Sequence, residues 1–191
     1  GIRMHQYPSS GEARDAGDAI LRGLMGDSDG RIPTIAVTGT NGKTTTTLLI
    51  AHTVRLAGKV TGVTTTEGVF IDGKQVARGD CTGYWSARTV LGSPDVEFAV
   101  LETARGGILK RGLAFDRCDV GVVLNIAADH LGLDGVDTVE DLAQVKAVVA
   151  TSASRAVVLN AEDPLCGAMG RRAKPEAGIG YFSMGPQKPV C

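Results

Sequence analysis

Thr38-Gly39-Thr40-Asn41-Gly42-Lys43-Thr44-Thr45-Thr46 is the stretch that decides the fold of this 191-residue chain. A short apolar run, Ile32 to Val37, precedes it and reads as a strand, and Thr47-Leu48-Leu49-Ile50-Ala51-His52 follows and reads as a helix. A strand, a Gly-rich turn carrying Lys-Thr, and a helix together cradle phosphate, because backbone N–H groups and the helix N-terminus both attract anions. Lys43 would reach the outer phosphates and the Thr44 hydroxyl would hold Mg²⁺, so a nucleoside triphosphate is the expected ligand. The loop is shorter than the ordinary P-loop, which needs a glycine at the position held here by Val37. The alternative, a Gly-containing turn with a solvated lysine, does not explain why glycine, lysine, threonine, strand and helix all agree.

From Ile32 onward, apolar runs alternate with helical patterns. Strands are expected at 32–38, 59–64, 96–102, 119–125, 155–160 and 178–183, and helices at 43–57, 84–91, 138–152 and 163–171. Phe98-Ala99-Val100-Leu101 and Val120-Gly121-Val122-Val123-Leu124 are apolar throughout, as in a parallel sheet covered on both faces. The expected fold is therefore α/β, a mostly parallel sheet built around the phosphate loop, with helices on both faces. Asp72-Gly73 between short β-like runs predicts a hairpin over 69–76. Thr138-Val139-Glu140-Asp141 predicts a capping box. Residues 1–30 read as a lead-in with one helix over 13–24, and 31–191 as the nucleotide-binding domain.

Ligands of such sheets sit at the carboxyl ends of the strands. Five polar clusters are expected there: the loop at Gly39–Lys43, Thr64-Thr65-Thr66, Glu102 to Gly107, Asn125 to His130, and Asn160 to Pro164. A carboxylate at Glu102 suits Mg²⁺, directly or through water; taken alone it suits a helix cap or a surface pair equally well. His130 is a less common kind of Mg²⁺ ligand, and its company, Asn125 and Asp129, favours that role over a structural one. Arg105 could grip an anion or lie at the surface. Thr64–Thr66 could supply hydroxyls, or simply be β-formers. Lys146, by its position alone, reads as a solvated helix lysine.

Composition narrows the function classes. With 43% apolar residues and a net charge of −1, the chain suits one globular domain and offers no basic surface for nucleic acid. Aromatics at 4% give few base-stacking platforms. No apolar stretch has transmembrane length and no secretory signal is visible, so a cytoplasmic location without membrane partners is expected. Cys81, Cys118, Cys166 and Cys191 form no CxxC pair and read as reduced thiols. His52 reads as structural or surface-facing. The sequence leaves a homo-oligomer open. It begins at Gly1 without a starting Met, as a processed or excised chain would.

Taken together, the clusters resemble the central ATP-binding domain of the Mur ligase superfamily. The resemblance rests on Thr38 to Thr45, Glu102-Thr103, Asn125-Ile126-Ala127-Ala128-Asp129-His130-Leu131 and Asn160-Ala161-Glu162-Asp163-Pro164, and it spans Ile32 to about Ser183. Within the superfamily the chain is most similar to the cyanophycin synthetases, through Gly1 to Pro8, Thr82-Gly83-Tyr84-Trp85-Ser86-Ala87, Leu101 to Leu109 and Phe115 to Val123. This implies an ATP-dependent amide ligase. ATP converts a carboxylate to an acyl phosphate, which an amine then attacks. In that branch arginine is joined to the aspartate side chain of a growing polymer. The alternatives are a peptidoglycan or folate-like Mur-type ligase and a non-catalytic ATP-binding module.

The resemblance also assigns roles. Gly39, Thr40, Asn41, Gly42, Lys43, Thr44 and Thr45 would bind the nucleotide with Asn125 and with Asn160, the latter at the adenine. Thr44, Glu102 and His130 would hold Mg²⁺. Lys43, His130 and Lys146 would act in catalysis, Lys146 as a carbamate. No protein nucleophile is implied. The family's C-terminal domain and, for this branch, an ATP-grasp half are not represented, so the 191 residues are expected to be inactive alone.

Overall fold

The computed structural model describes residues 20, 23, 30–129 and 131–185. The expected helix over 13–24, the stretch Gly1 to Pro8, Cys191 and His130 lie wholly or largely outside these residues. The chain divides into two units, Gly1–Arg31 and Ile32–Cys191, and the second carries the features below.

Its strands are β1 (Thr34–Thr38), β2 (Thr61–Thr65), β3 (Gly68–Ile71), β4 (Lys74–Arg78), β5 (Phe98–Glu102), β6 (Cys118–Val123), β7 (Ala153–Asn160) and β8 (Gly178–Phe182). Its helices are α1 (Lys43–Leu56), α2 (Tyr84–Leu91), α3 (Arg105–Arg111), α4 (Val139–Ser152) and α5 (Pro164–Ala168), with a 3₁₀ turn at Met169–Arg172. The strands form one sheet in the order β4-β3-β2-β5-β1-β6-β7-β8. Every pairing from β2 to β8 is parallel, and β3 and β4 join as an antiparallel hairpin at one edge. The hairpin turns at Asp72 and Gly73, whose φ values of 49° and 76° suit the Asp-Gly pair.

Alternate residues of the strands face opposite layers. Val37, Val63, Val100 and Val122 pack with Ala51 of α1. Ala36, Val123 and Leu159 pack with Leu142 and Val149 of α4, and Ala99 and Leu101 with Ala87 and Val90 of α2. The sheet is thus covered on both faces, which is why β1, β5 and β6 are apolar at consecutive positions. Leu101, Leu142 and Leu159 are 0–1% exposed, and burying each contributes about 1.5–3 kcal/mol.

The capping box is present: Asp141 N–H donates to Thr138 Oγ1 (3.1 Å) and Thr138 N–H to Asp141 Oδ2 (3.0 Å). The Thr138 hydroxyl, then its N–H, hold the Asp141 carboxyl below its usual range. Two local expectations shift. Arg105-Gly106-Gly107 opens helix α3 instead of forming a loop. The expected helix over 163–171 is a short α5 that tightens into the 3₁₀ turn. Two glycines make α3 a weak helix by propensity, and tertiary contact compensates. A Cβ on Gly107 would lie 2.8 Å from Gly83 Cα and 2.9 Å from the Thr82 carbonyl oxygen, so only glycine lets these backbones meet.

Candidate active site: a phosphate loop beside a buried carboxylate

The carboxyl ends of β2, β5, β1, β6 and β7 lie in that order along one edge, so the five polar clusters share a rim. The loop after β1 forms its centre. Gly42 caps α1 at φ 82°, ψ 0°, and no side chain caps this helix. The first-turn N–H groups therefore face outward as an anion site. Gly39 has φ 154°, and a Cβ there would stand 2.9 Å from Leu124 Cβ; the loop rests directly on the end of β6.

Asn125 stitches that contact. Its Oδ1 accepts from Thr40 N–H (3.1 Å) and Asn41 N–H (2.8 Å), and its Nδ2 donates to the Asn41 carbonyl (3.0 Å). Thr40 Oγ1 in turn accepts from Ala127 N–H at 3.0 Å. Asn125 and Thr40 are thus engaged in shaping the loop.

Thr44, one residue into α1, points at β5. Its hydroxyl donates to Glu102 Oε2 at 2.8 Å and lies 3.1 Å from Thr66 Oγ1. Thr66 N–H also reaches Oε2, at 3.3 Å. Glu102 is 2% exposed, and among the described residues its Oε1 has no hydrogen-bond partner. A buried carboxylate oxygen without a donor is costly. A divalent cation beside it would supply the missing partner, and oxygen ligands from a hydroxyl and a carboxylate suit Mg²⁺. The residues present fit such an ion. Among the described residues no group of three or more His, Cys, Asp or Glu side chains gathers at this site or at any other.

Lys43 and Lys146 approach the loop from two elements. Lys43 Nζ donates to the Thr40 carbonyl and Lys146 Nζ to the Gly39 carbonyl, each at 2.9 Å. Lys146 is 3% exposed, which corrects the expectation of a solvated helix lysine. It lies on the sheet-facing side of α4, whose Leu142, Ala143, Ala147, Val149 and Ala150 are also buried. Burial, then the charge of Lys43, lowers its amine from 10.5 to about 8; Asp129 opposes this and Arg105 adds to it.

This shift has a measurable consequence. Between about pH 8 and 10.5 the unfolded chain holds a proton on Lys146 that the folded chain has lost, so stability rises with pH across that window. Below about pH 8 the cost of the buried ammonium is present in full. Chemical denaturation of the wild type in CO₂-depleted buffer, where the amine is free, should show a gain of up to about 3 kcal/mol over the window, and Lys146→Met should remove that part of the slope.

At the far end of the rim, Asn160 Nδ2 donates to the Leu124 carbonyl (3.0 Å) and Oδ1 accepts from Glu162 N–H (2.9 Å). Sequence reasoning left Asp163 without a role. Its Oδ2 accepts from Ile126 N–H (2.6 Å) and its Oδ1 caps α5 through Leu165 and Cys166 N–H groups, tying the β7 end to the β6 end. Asp before Pro at a helix start was the available signal. Arg105 does not stand open as an anion grip: Nη2 donates to the Leu133 carbonyl and lies 4.0 Å from Asp134 Oδ2. Cys81, Cys118 and Cys166 are buried free thiols, and burial pushes Cys118 and Cys166 up to about 12. His52 is exposed on α1. No described helix is long and apolar enough to cross a membrane.

The family model for the Mur ligase middle domain matches residues 37–189. The chain belongs to the Mur ligase middle domain family. Among curated members of related proteins, a cyanophycin synthetase from Synechocystis sp. is 54% identical over 193 aligned positions, covering 100% of this chain and 22% of that protein. A UDP-N-acetylmuramoyl-L-alanyl-D-glutamate–2,6-diaminopimelate ligase from Vibrio parahaemolyticus is 32% identical, covering 68% of this chain and 27% of its own length. The Mur ligase domain described here therefore spans about a fifth of the cyanophycin synthetase it matches. A solved structure of a 2,6-diaminopimelate-adding ligase of the same name aligns over 90% of this chain and 35% of that one, with a TM-score of 0.71 and 25% identity. A folylpolyglutamate synthase/dihydrofolate synthase solved with Mn, AMPPNP and L-glutamate shares the fold at a TM-score of 0.58 and 22% identity, over 85% of this chain and 45% of that one.

Proposed function

We propose that this Mur ligase domain is the ATP-binding core of an amide ligase that activates a carboxylate as an acyl phosphate. The observation that carries this is the Thr44–Glu102 contact: a 2.8 Å bond to a buried carboxylate with one unpartnered oxygen, beside the uncapped start of α1. A passive nucleotide binder has no need of that second oxygen. The proposal extends to a longer polypeptide in which further domains supply the acceptor and amine sites.

In this reading the N–H groups of the Gly39–Thr45 loop hold the phosphates, and Lys43 turns from the Thr40 carbonyl to the outer phosphate oxygens. Thr44 and Glu102 hold Mg²⁺, with His130 as the third ligand that the family pattern implies. The ion, when bound, neutralises charge on the transferring phosphoryl group. The acceptor carboxylate attacks the terminal phosphorus, ADP leaves, and an amine displaces phosphate from the acyl phosphate to give the amide. The protein supplies positioning and electrostatics, and no side chain becomes covalently modified in the reaction cycle. Lys146 is proposed to be carbamylated: CO₂ reacts with a neutral amine, the lowered amine makes that form accessible, and the nearby Lys43 and Arg105 charges would favour the resulting anion. Asn160, engaged at both ends of its amide, would present the β7 edge to the adenine.

The 54% identity to a cyanophycin synthetase, against 32% to a peptidoglycan ligase, favours arginine as the amine and an aspartate-containing polymer as the acceptor. The test is ADP release by the full-length enzyme given an aspartate-containing peptide and single amino acids. Arginine-dependent release with one amide formed per ADP is expected. Release that depends on diaminopimelate or glutamate instead would reassign the substrate. Nucleotide binding with no amino-acid-dependent release would reduce the domain to an ATP-binding module.

A further inference from the structure

In the sheet order, β1 separates β5 from β6. Arg105 belongs to the β5 side, three residues beyond Glu102, yet its guanidinium donates to the carbonyl of Leu133, which follows β6. It therefore reaches from the β5 side of the rim to a segment that follows β6. What it grips is a closed turn. Val136 N–H donates to the Leu133 carbonyl at 3.2 Å, Gly132 N–H donates to the Val136 carbonyl at 2.9 Å, and Leu133 and Val136 form a bridge. Asp134 and Gly135 sit at φ 56° and 74°, the left-handed pair of a type I′ turn. Val136, 2% exposed, roots this turn in the α4-side core. The Arg105 side chain is 13% exposed and Asp134's is 64% exposed, so the carbonyl bond matters more than the outer ion pair. One planar group thus joins the two walls of the rim.

We propose that Arg105 is a positioning residue that fixes the Leu133–Val136 turn to the Glu102 side of the site, across the phosphate loop. It rests on the reading of that loop as a nucleotide site. Arginine suits the task because its rigid fork can hold a carbonyl and a carboxylate together, which a lysine cannot reproduce. The proximity of Arg105 to Lys146 gives a second signature: removing the guanidinium charge should raise the Lys146 amine.

The test compares wild type with Arg105→Gln, Arg105→Lys and Asp134→Asn, following amide hydrogen exchange at Gly132 and Val136, the titration of the free Lys146 amine by NMR in CO₂-depleted buffer, and binding of the ATP analogue AMPPNP without metal. Arg105→Gln should speed exchange at both amides by roughly tenfold or more, the scale of one charge-assisted hydrogen bond, and move the Lys146 titration to higher pH. Arg105→Lys should speed exchange but leave that titration in place. Asp134→Asn should change exchange less than about twofold. AMPPNP affinity should stay within about twofold of wild type in all three. Unchanged exchange at Gly132 and Val136 in Arg105→Gln overturns the inference. If that variant fails to fold, unchanged exchange in Arg105→Lys overturns it equally. Failure of wild type to bind AMPPNP would instead remove the nucleotide reading, a separate outcome.

Discussion

Glu102→Gln should uncouple metal from nucleotide while leaving the fold intact or firmer. In the metal-free chain the wild-type carboxylate is 2% exposed, with one oxygen lacking a partner among the described residues. An uncharged amide relieves part of that burial cost, so the metal-free variant should be at least as stable as wild type, by up to about 1–3 kcal/mol. The Thr44 hydroxyl can still donate to the amide oxygen in the Oε2 position. With AMPPNP already present, added Mg²⁺ should raise the melting temperature of wild type further but not that of the variant, and ligation by the full-length enzyme should fall roughly 10²–10³-fold, as when one preorganised electrostatic group is removed. A variant that is less stable without metal, yet still gains from Mg²⁺, would refute the assignment of Glu102.

Lys43→Ala should likewise combine a large functional loss with hardly any change in folding, but through the nucleotide and not the metal. In the structure Lys43 Nζ donates to the Thr40 carbonyl at 2.9 Å from a partly exposed position. Its loss should alter stability by less than about 0.5 kcal/mol, as for an ordinary surface change. If its ammonium instead serves the outer phosphates, ligation should fall by roughly 10³-fold. Triphosphate analogue binding should weaken more than monophosphate binding. Equal weakening of both would show that Lys43 does not address the outer phosphates, and unaffected ligation would remove it from the site.

Both predictions depend on residues whose roles were unequally visible in the sequence. The phosphate loop was plain because its local chemistry is its structure: glycines at positive φ, then Lys-Thr at a helix start. β5 and β6 were plain because burial on both faces leaves a continuous apolar run. Glu102 stood out as the first charge after such a run. Lys146 did not, since a lysine among alanines and valines carries no mark of facing inward until α4 is laid on the sheet. Arg105 was misplaced for a related reason. Two glycines argue against a helix locally, and only the backbone crossing at Gly83 and Gly107 makes α3 worthwhile. Asn125 was visible as a rim residue, but its service to the loop depends on β6 lying beside β1, a pairing between residues 84 positions apart.

The two ammonium groups resting on neighbouring loop carbonyls have a consequence for repeated use. With Lys43 on the Thr40 carbonyl and the buried Lys146 on the Gly39 carbonyl, the loop backbone is held from two sides by side chains of its own domain. Loading exchanges one set of polar contacts for another, so little conformational ordering has to accompany it. If the domain serves an amide ligase, its loop must empty and refill at every turnover, and a loop that keeps its shape between refills keeps that rhythm fast.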